Sequence, residues 1–414
     1  MIDPRIFLAL IVLLPASACA AMVVAWIAGL PLRERATARL AEVTYITALF
    51  SLFGLYARMW TSGASTLTID AGHLYAVHSA QIPLTLKLDW LSLPLVTMTV
   101  ALVGLIAFVS RRYLHRDPHF NRFYLLLHLF AFGALVLFTA ASFDLMIVGW
   151  ELSGIASVLM IAFFHERREP VESSIRAFAT YQLCDIGLVG GVIALHAGAE
   201  TTIVGLLFLF AAMGRSAVAP FSGWLPRAMD APAPSSAIFF GAISIHAGAY
   251  LLLRSQPVWE ASTAATAAVI AAGGWSAIHG TMAARLCADA RSSIAYAAVS
   301  QLGLIFIEIA LGWHQLALLH ILGHGIMRSY QLLKASSLLE EHRHMHAAMG
   351  GDLGKKGKHY DRLLPATLQT WLYRMALDNG HHDTLIDRLV GGVRKIAARM
   401  NTLEKEGAWL SWRS

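Results

Sequence analysis

Apolar runs alternate with short polar gaps along most of the chain, and each run is about as long as a bilayer-spanning helix, which takes roughly 20 residues. The runs are Ile6–Leu30, Val43–Trp60, Leu91–Ser110, Phe123–Ala141, Leu145–Phe164, Ile175–Leu195, Ile203–Leu225, Ser235–Leu253, Thr263–Ala284, Ser293–Leu311 and Gln315–Leu333. Gly214, Pro220, Gly223 and Pro226 interrupt the seventh, which predicts a broken helix. Broken helices persist at membrane depth only where they line protein or water. The longest gap, Thr61 to Asp89, carries the alternating stretch Ile82 to Leu88, a short strand by its period. After Leu339 the pattern changes. Glu340 to Lys358 is polar, with His342, His344 and His346; then Ile386, Leu389, Val390, Val393, Ile396, Met400 and Leu403 recur at three- and four-residue spacing. With Arg394, Lys395 and Arg399 opposite, that spacing predicts an amphipathic helix over Asp383 to Leu403, lying on the membrane or against a partner. The pattern therefore predicts an all-α polytopic membrane protein with about eleven transmembrane helices over residues 1–339 and a tail over 340–414.

Composition agrees with that picture. The 414 residues are 57% hydrophobic and 14% charged, with mean hydropathy +0.58, against about 25% charged residues in soluble domains. The net charge of +6 is not a nucleic-acid signal, because the basic residues sit in short gaps between apolar runs. Arg33, Arg35 and Arg39, then Arg111, Arg112, Arg116 and Arg122, Arg167 and Arg168, Arg227, and Arg285 with Arg291 all fall in alternate gaps. By the positive-inside rule the N-terminus lies outside and the tail in the cytoplasm; the setting expected is a bacterial inner membrane. Cys19, Cys184 and Cys287 are too dispersed for a disulfide framework or a metal set. Ile6 to Leu30 is too long an apolar run for a cleavable signal.

Ionisable residues within the spans are the candidates for chemistry, since charge in lipid is costly. Glu151 lies in the fifth run, Arg176 and Asp185 in the sixth, Arg215 at the break of the seventh, His246 in the eighth and Glu308 in the tenth. His320, His324 and Arg328 are four residues apart and so share one face of the eleventh. Each has a plainer reading. A membrane Glu can simply tie two helices together, Arg176 can snorkel, Asp185 can cap locally, Glu308 can lie near the interface and His246 can be a packed core residue. The tail histidines read as a solvated linker rather than a metal site.

Four ordered segments resemble a known family. Asp144 to Gly154, containing Trp150-Glu151-Leu152, is similar to the Trp-Glu-Leu motif of the antiporter-like subunits of complex I and Mrp antiporters. Gly214 to Met229 resembles that family's broken-helix signature; Ala288 to Tyr296 with Ser300-Gln301-Leu302-Gly303, and His320 to Arg328, resemble two more of its segments. The likeness runs from about Leu88 to about Leu339. It implies a proton-conducting membrane module in which Glu151 pairs with Arg215 and a polar chain continues through Arg291 to His320, His324 and Arg328; the cost of charge within spans adds His246 to that path, with Asp185 and Glu308 as secondary candidates.

Departures from the family refine the expectation. Arg215, Arg291 and Arg328 stand where the family usually has lysine, and Phe240 stands where it has a histidine, with His246 six residues later. Lysine can shed its proton when buried; arginine effectively cannot. The first five-helix repeat is complete, whereas the second stops after three helices. These traits resemble the DabB-type subunit of inorganic-carbon accumulating complexes. That resemblance implies a non-enzymatic, ion-translocating subunit with no cofactor of its own, energising a peripheral cytoplasmic partner of the DabA type, a zinc protein resembling β-carbonic anhydrase. Two alternatives remain: a proton-pumping subunit of a complex I or hydrogenase-type redox complex, and an ion-inert membrane anchor for a peripheral enzyme.

Overall fold

The computed structural model describes residues 3–77, 80–287, 289–335 and 365–377, with isolated positions between 388 and 402. The polar linker and most of the predicted amphipathic helix over Asp383 to Leu403 lie outside the described residues.

Helices α1 (Pro4–Ile27) and α2 (Glu34–Ser62) form the first hairpin. Asp3 caps α1 by accepting the Arg5 amide, and Pro4 occupies its first turn, where its missing N–H costs nothing. Gly63, at φ 62°, closes α2 in the left-handed conformation that glycine tolerates best. The following gap folds into an antiparallel hairpin of β1 (Leu67–Val77) and β2 (Ala80–Leu88), so the predicted strand is present and has a partner.

The central bundle comprises α3 (Ser92–Tyr113), α4 (Phe120–Thr139), α5 (Phe143–Ile161), α6 (Arg168–His196) and α7 (Thr201–Arg215). The next span, α8 (Ala233–Trp259), is buried along its whole apolar window and so runs through the middle of the protein. Then follow α9 (Thr263–Leu286), α10 (Ala290–Ala310) and α11 (His314–Lys334). Helix α12 (Ala366–Leu377) packs against α9. Eight of these helices are long and apolar enough to cross a membrane by length and composition, and α7 is a shorter apolar helix.

The seventh span is broken as predicted. α7 ends at Arg215, Ala217 takes φ 52°, and the chain passes Pro220 before a short turn at Trp224–Arg227. Helix termination frees backbone groups that lipid could not satisfy. Here Trp224 Nε1 donates to the Gly214 carbonyl at 2.9 Å, and Ser276 Oγ accepts the Ala219 amide at 2.8 Å. The eighth span is irregular too, which its apolar pattern did not announce: Ser236–Ile243 is a π-helix and Ser244–His246 a 3₁₀ turn. Such wide turns often sit at functional positions.

Candidate functional site

Two polar clusters lie inside the bundle. The first surrounds the end of α7. Arg215 is 1% exposed, among the largest fully buried side chains. Its Nη2 donates to the Trp150 carbonyl at 2.6 Å and to Ser153 Oγ at 2.7 Å. The guanidinium also lies 5.0 Å from the Trp150 ring centroid and 4.6 Å from that of Tyr181, the geometry of a cation over aromatic faces. Gly154 makes room for it: a Cβ there would come within 2.4 Å of Arg215 Nη1.

The expected direct pair of Glu151 with Arg215 is not what the structure shows. Among the described residues Arg215 makes no ion pair with Glu151, and its Nε and Nη1 are buried without a hydrogen-bond partner. Trp150 and Ser153, not Glu151, are the α5 residues that bond to it. Trp150 Nε1 in turn donates to Asp185 Oδ1 at 2.6 Å. Glu151 is half-buried and lies beside Asp185. The cluster is thus two adjoining carboxyl groups on α5 and α6 and one arginine on α7, coupled by charge and joined through Trp150.

The second cluster links α8, α10 and α11. His246 is fully buried; its Nδ1 bonds to the Ala242 carbonyl four residues back, and its Nε2 lies 2.9 Å from His324 Nδ1. A carbonyl only accepts, so His246 Nδ1 carries the hydrogen and neutral His246 must accept at Nε2. His324 then donates from Nδ1 and accepts at Nε2, where Arg328 Nε donates at 3.2 Å. The three side chains form one hydrogen-bonded chain with a single consistent assignment of protons, ending at Gln331, whose Oε1 accepts from Arg328 Nη1 at 2.7 Å. One turn from His324, His320 Nδ1 lies 2.8 Å from Glu308 Oε1 and its Nε2 lies 3.1 Å from Gln301 Oε1. His320 thus ties the Glu308 carboxylate to the Gln301 side chain. The His320 and His324 ring centroids are 6.3 Å apart, too far for a direct bond and near enough for one bridging group.

Arg291 is not brought to this chain. It sits in the first turn of α10, and its Nη1 donates to the Met229 carbonyl at 3.3 Å. Glu308 and Asp185, ranked second by sequence, have direct polar partners within the two clusters, whereas Glu151 reaches Arg215 only indirectly. Trp150, Ser153, Tyr181 and Gln301 escaped the sequence reading as site residues. Three of them had a signal, since Trp150, Ser153 and Gln301 stand inside quoted motifs. A third buried polar group, also unforeseen, joins α3 to α8: Arg254 Nη1 and Nη2 bind Asp89 Oδ2 and Oδ1 at 2.6 and 3.2 Å, and Tyr250, which also contacts Arg254, donates to the Phe138 carbonyl at 2.7 Å.

The comparisons with known proteins agree with this architecture. Residues 140–357 match the family described as NADH:quinone oxidoreductase/Mrp antiporter, transmembrane, and residues 74–124 match the N-terminal segment of complex I chain 5. NADH-ubiquinone oxidoreductase chain 5 of Allomyces macrogynus is 30% identical over 312 residues, covering 71% of this chain and 49% of its own length. That of Rhizopus stolonifer is 32% identical over 299 residues, covering 67% and 44%. The chain thus spans about half the length of the curated relatives it matches. In three dimensions it is similar to a chain of the Mrp complex from Dietzia sp., with TM-score 0.67 at 23% identity, covering 80% of this chain and 37% of that one. A chain of an archaeal membrane-bound sulfane sulfur reductase superposes with TM-score 0.68 at 18% identity, covering 79% and 70%. At these identities the solved structures speak for the fold alone.

Proposed function

This chain belongs to the NADH:quinone oxidoreductase/Mrp antiporter family of membrane subunits, and from that premise we propose that it conducts protons as one subunit of a larger membrane complex. The observation that carries this reading is the hydrogen-bonded row His246–His324–Arg328 within the bundle, flanked by His320 and Glu308. Histidine gains and loses protons near neutral pH, and an excess proton on His324 can pass from its Nδ1 across the 2.9 Å contact to His246 Nε2. Arg215 and Arg328 act as fixed positive charges, since guanidinium keeps its proton; the mobile protons ride on the histidines and on the Glu151–Asp185 pair. Coupling to a redox complex is the reading favoured among the finer ones, because the curated relatives quoted above are named as complex I chain 5.

The carbon-uptake reading, with a zinc carbonic-anhydrase-like partner, rests on the three arginines at lysine positions and has no support from those relatives. The N-terminus-outside orientation rests on the loop cations, and a bacterial inner membrane on the resemblance to the inorganic-carbon subunits. The protein that co-purifies discriminates: quinone- or iron–sulfur-binding subunits for the first, a zinc protein for the second. The conduction test is proton flux into proteoliposomes holding the intact complex, read with a pH-sensitive dye. His324→Ala and His246→Ala are expected to reduce flux about 100-fold, by analogy with the lower end of general acid–base contributions, while assembly persists. Full flux in the double variant overturns the proposal and favours an ion-inert anchor.

A further inference from the structure

At the end of the bundle that carries the arginine-rich gaps, three potential ligands converge from two connections. His119 precedes α4; His165 and Glu166 lie between α5 and α6. Their ligand atoms all lie within 4.8 Å of one another. His119 Nε2 is 3.0 Å from Glu166 Oε1, and His165 Nε2 is 3.6 Å from the same oxygen. A tetrahedral zinc with bonds of about 2.0–2.1 Å sets neighbouring ligand atoms about 3.3 Å apart, and the two observed separations bracket that value.

The surroundings extend the pattern. Asp117 Oδ1 stands 3.6 Å from His119 Nδ1, on the far side of the ring from Glu166. A carboxylate behind a ligating histidine orients the ring and raises its basicity. His165 Nδ1 lies 3.4 Å from the Phe163 carbonyl, which can take its hydrogen and leave the Nε2 lone pair facing Glu166. Arg122 competes for that nitrogen, with Nη1 at 2.6 Å, and its Nη2 holds the Ala162 carbonyl at 3.3 Å. A bound cation therefore has to displace the Nη1 contact. His119 is partly buried, His165 and Glu166 are exposed, and the cluster opens to solvent on one side.

We propose that His119, His165 and Glu166 form a binding site for a divalent transition-metal cation of the zinc class, with one coordination position left to water. Two imidazoles and one carboxylate suit zinc better than magnesium or calcium, which prefer all-oxygen shells. The ion would tie the start of α4 to the α5–α6 connection. This site is separate from the intramembrane clusters and does not depend on proton conduction.

The test is calorimetric titration of the purified full chain in detergent with Zn2+ alone, followed by X-ray absorption at the zinc edge. The result expected is one Zn2+ per chain with two imidazole ligands, lost in the H119A/H165A double variant. Asp117→Asn is expected to weaken binding about 10–100-fold, as second-sphere carboxylates do, and serves if the double variant fails to fold. Unchanged binding in Asp117→Asn together with H119A/H165A overturns the proposal. So does loss of binding in an H342A/H344A/H346A variant alone, which would assign the ion to the tail, and so does the absence of any zinc binding.

Discussion

Consecutive residues on a helix point about 100° apart, and at the α5 site that angle decides the chemistry. The motif located Trp150 and Glu151 on the right helix, but spacing alone does not say which of the two faces Arg215. The structure sets the Trp150 ring against Arg215, with its indole N–H on Asp185, and leaves Glu151 without a bond to the arginine. Arg215→Ala would leave the buried Trp150 carbonyl and Ser153 hydroxyl without their donor and is expected to cost about 1–3 kcal/mol, as for other buried polar groups left unpaired. Arg215→Lys keeps the charge but loses the two-pronged contact with Trp150 and Ser153. Thermal unfolding of the assembled complex is expected to rank wild type above Lys and Lys above Ala; equal stability of all three would show that the charge is not buried in company. Asp89 was read only as the end of a loop. Burial alone would raise its pKa, but the two bonds from Arg254, with further ones from Ser92, outweigh it and hold it at about 2. A lowered folded-state pKa contributes stability above the unfolded value near 4, and loses it as pH falls through about 2. The contribution at neutral pH is about 2 kcal/mol. The gap in melting temperature between wild type and Asp89→Asn is expected to be full at pH 6 and to shrink below pH 3.

The elements most legible in the sequence were those announced by proline, glycine and unbroken apolar length. The break after Arg215 follows from Pro220 and Gly223, and the strand Ala80–Leu88 from its alternation. The irregular α8 was not legible, because Ser236–Ile243 contains no proline and, after Ser236, no polar side chain. A π-helix alters the angular register of everything beyond it, so helical periodicity could not forecast that His246 would meet His324. Close helix approach makes that meeting possible. A Cβ at Gly241 would lie 3.1 Å from Leu332 Cδ1 and 3.3 Å from the Ser329 amide, and one at Gly325 would lie 3.0 Å from Met98 Sδ. Gly241→Val is therefore expected to push α8 from α11, costing about 1–3 kcal/mol by overpacking and lengthening the 2.9 Å histidine contact. Proton flux in proteoliposomes is expected to fall with assembly retained; wild-type flux would mean that the two helices yield without separating the rings.

At the scale of the molecule, hydrophobicity and loop charge were enough for the membrane class, while the tertiary joins were not, because they bring together residues such as Asp89 and Arg254 that belong to unrelated stretches of sequence. The ring of exposed apolar residues, Trp26, Phe50, Phe53 and Trp60 among them, offers α1 and α2 to lipid or to a neighbouring subunit. The β-hairpin and the loop around Arg116 sit at opposite ends of α3. If the loop cations set the orientation, a single cysteine introduced at Ser65 is expected to react with an impermeant maleimide from outside the cell, and one at Arg116 only after lysis; the reverse would invert the topology. The Asp89–Arg254 clamp also distributes motion. It fastens the head of α3 to the tail of α8 at the hairpin end, where Tyr250 further grips the last turn of α4, while the opposite half of the bundle contains the unwound stretch after Arg215 and the wide-turned start of α8. A body bolted along one rim and jointed along the other can swing only like a clam, so any breathing that admits water to the histidines is expected to open on the rim away from the hairpin.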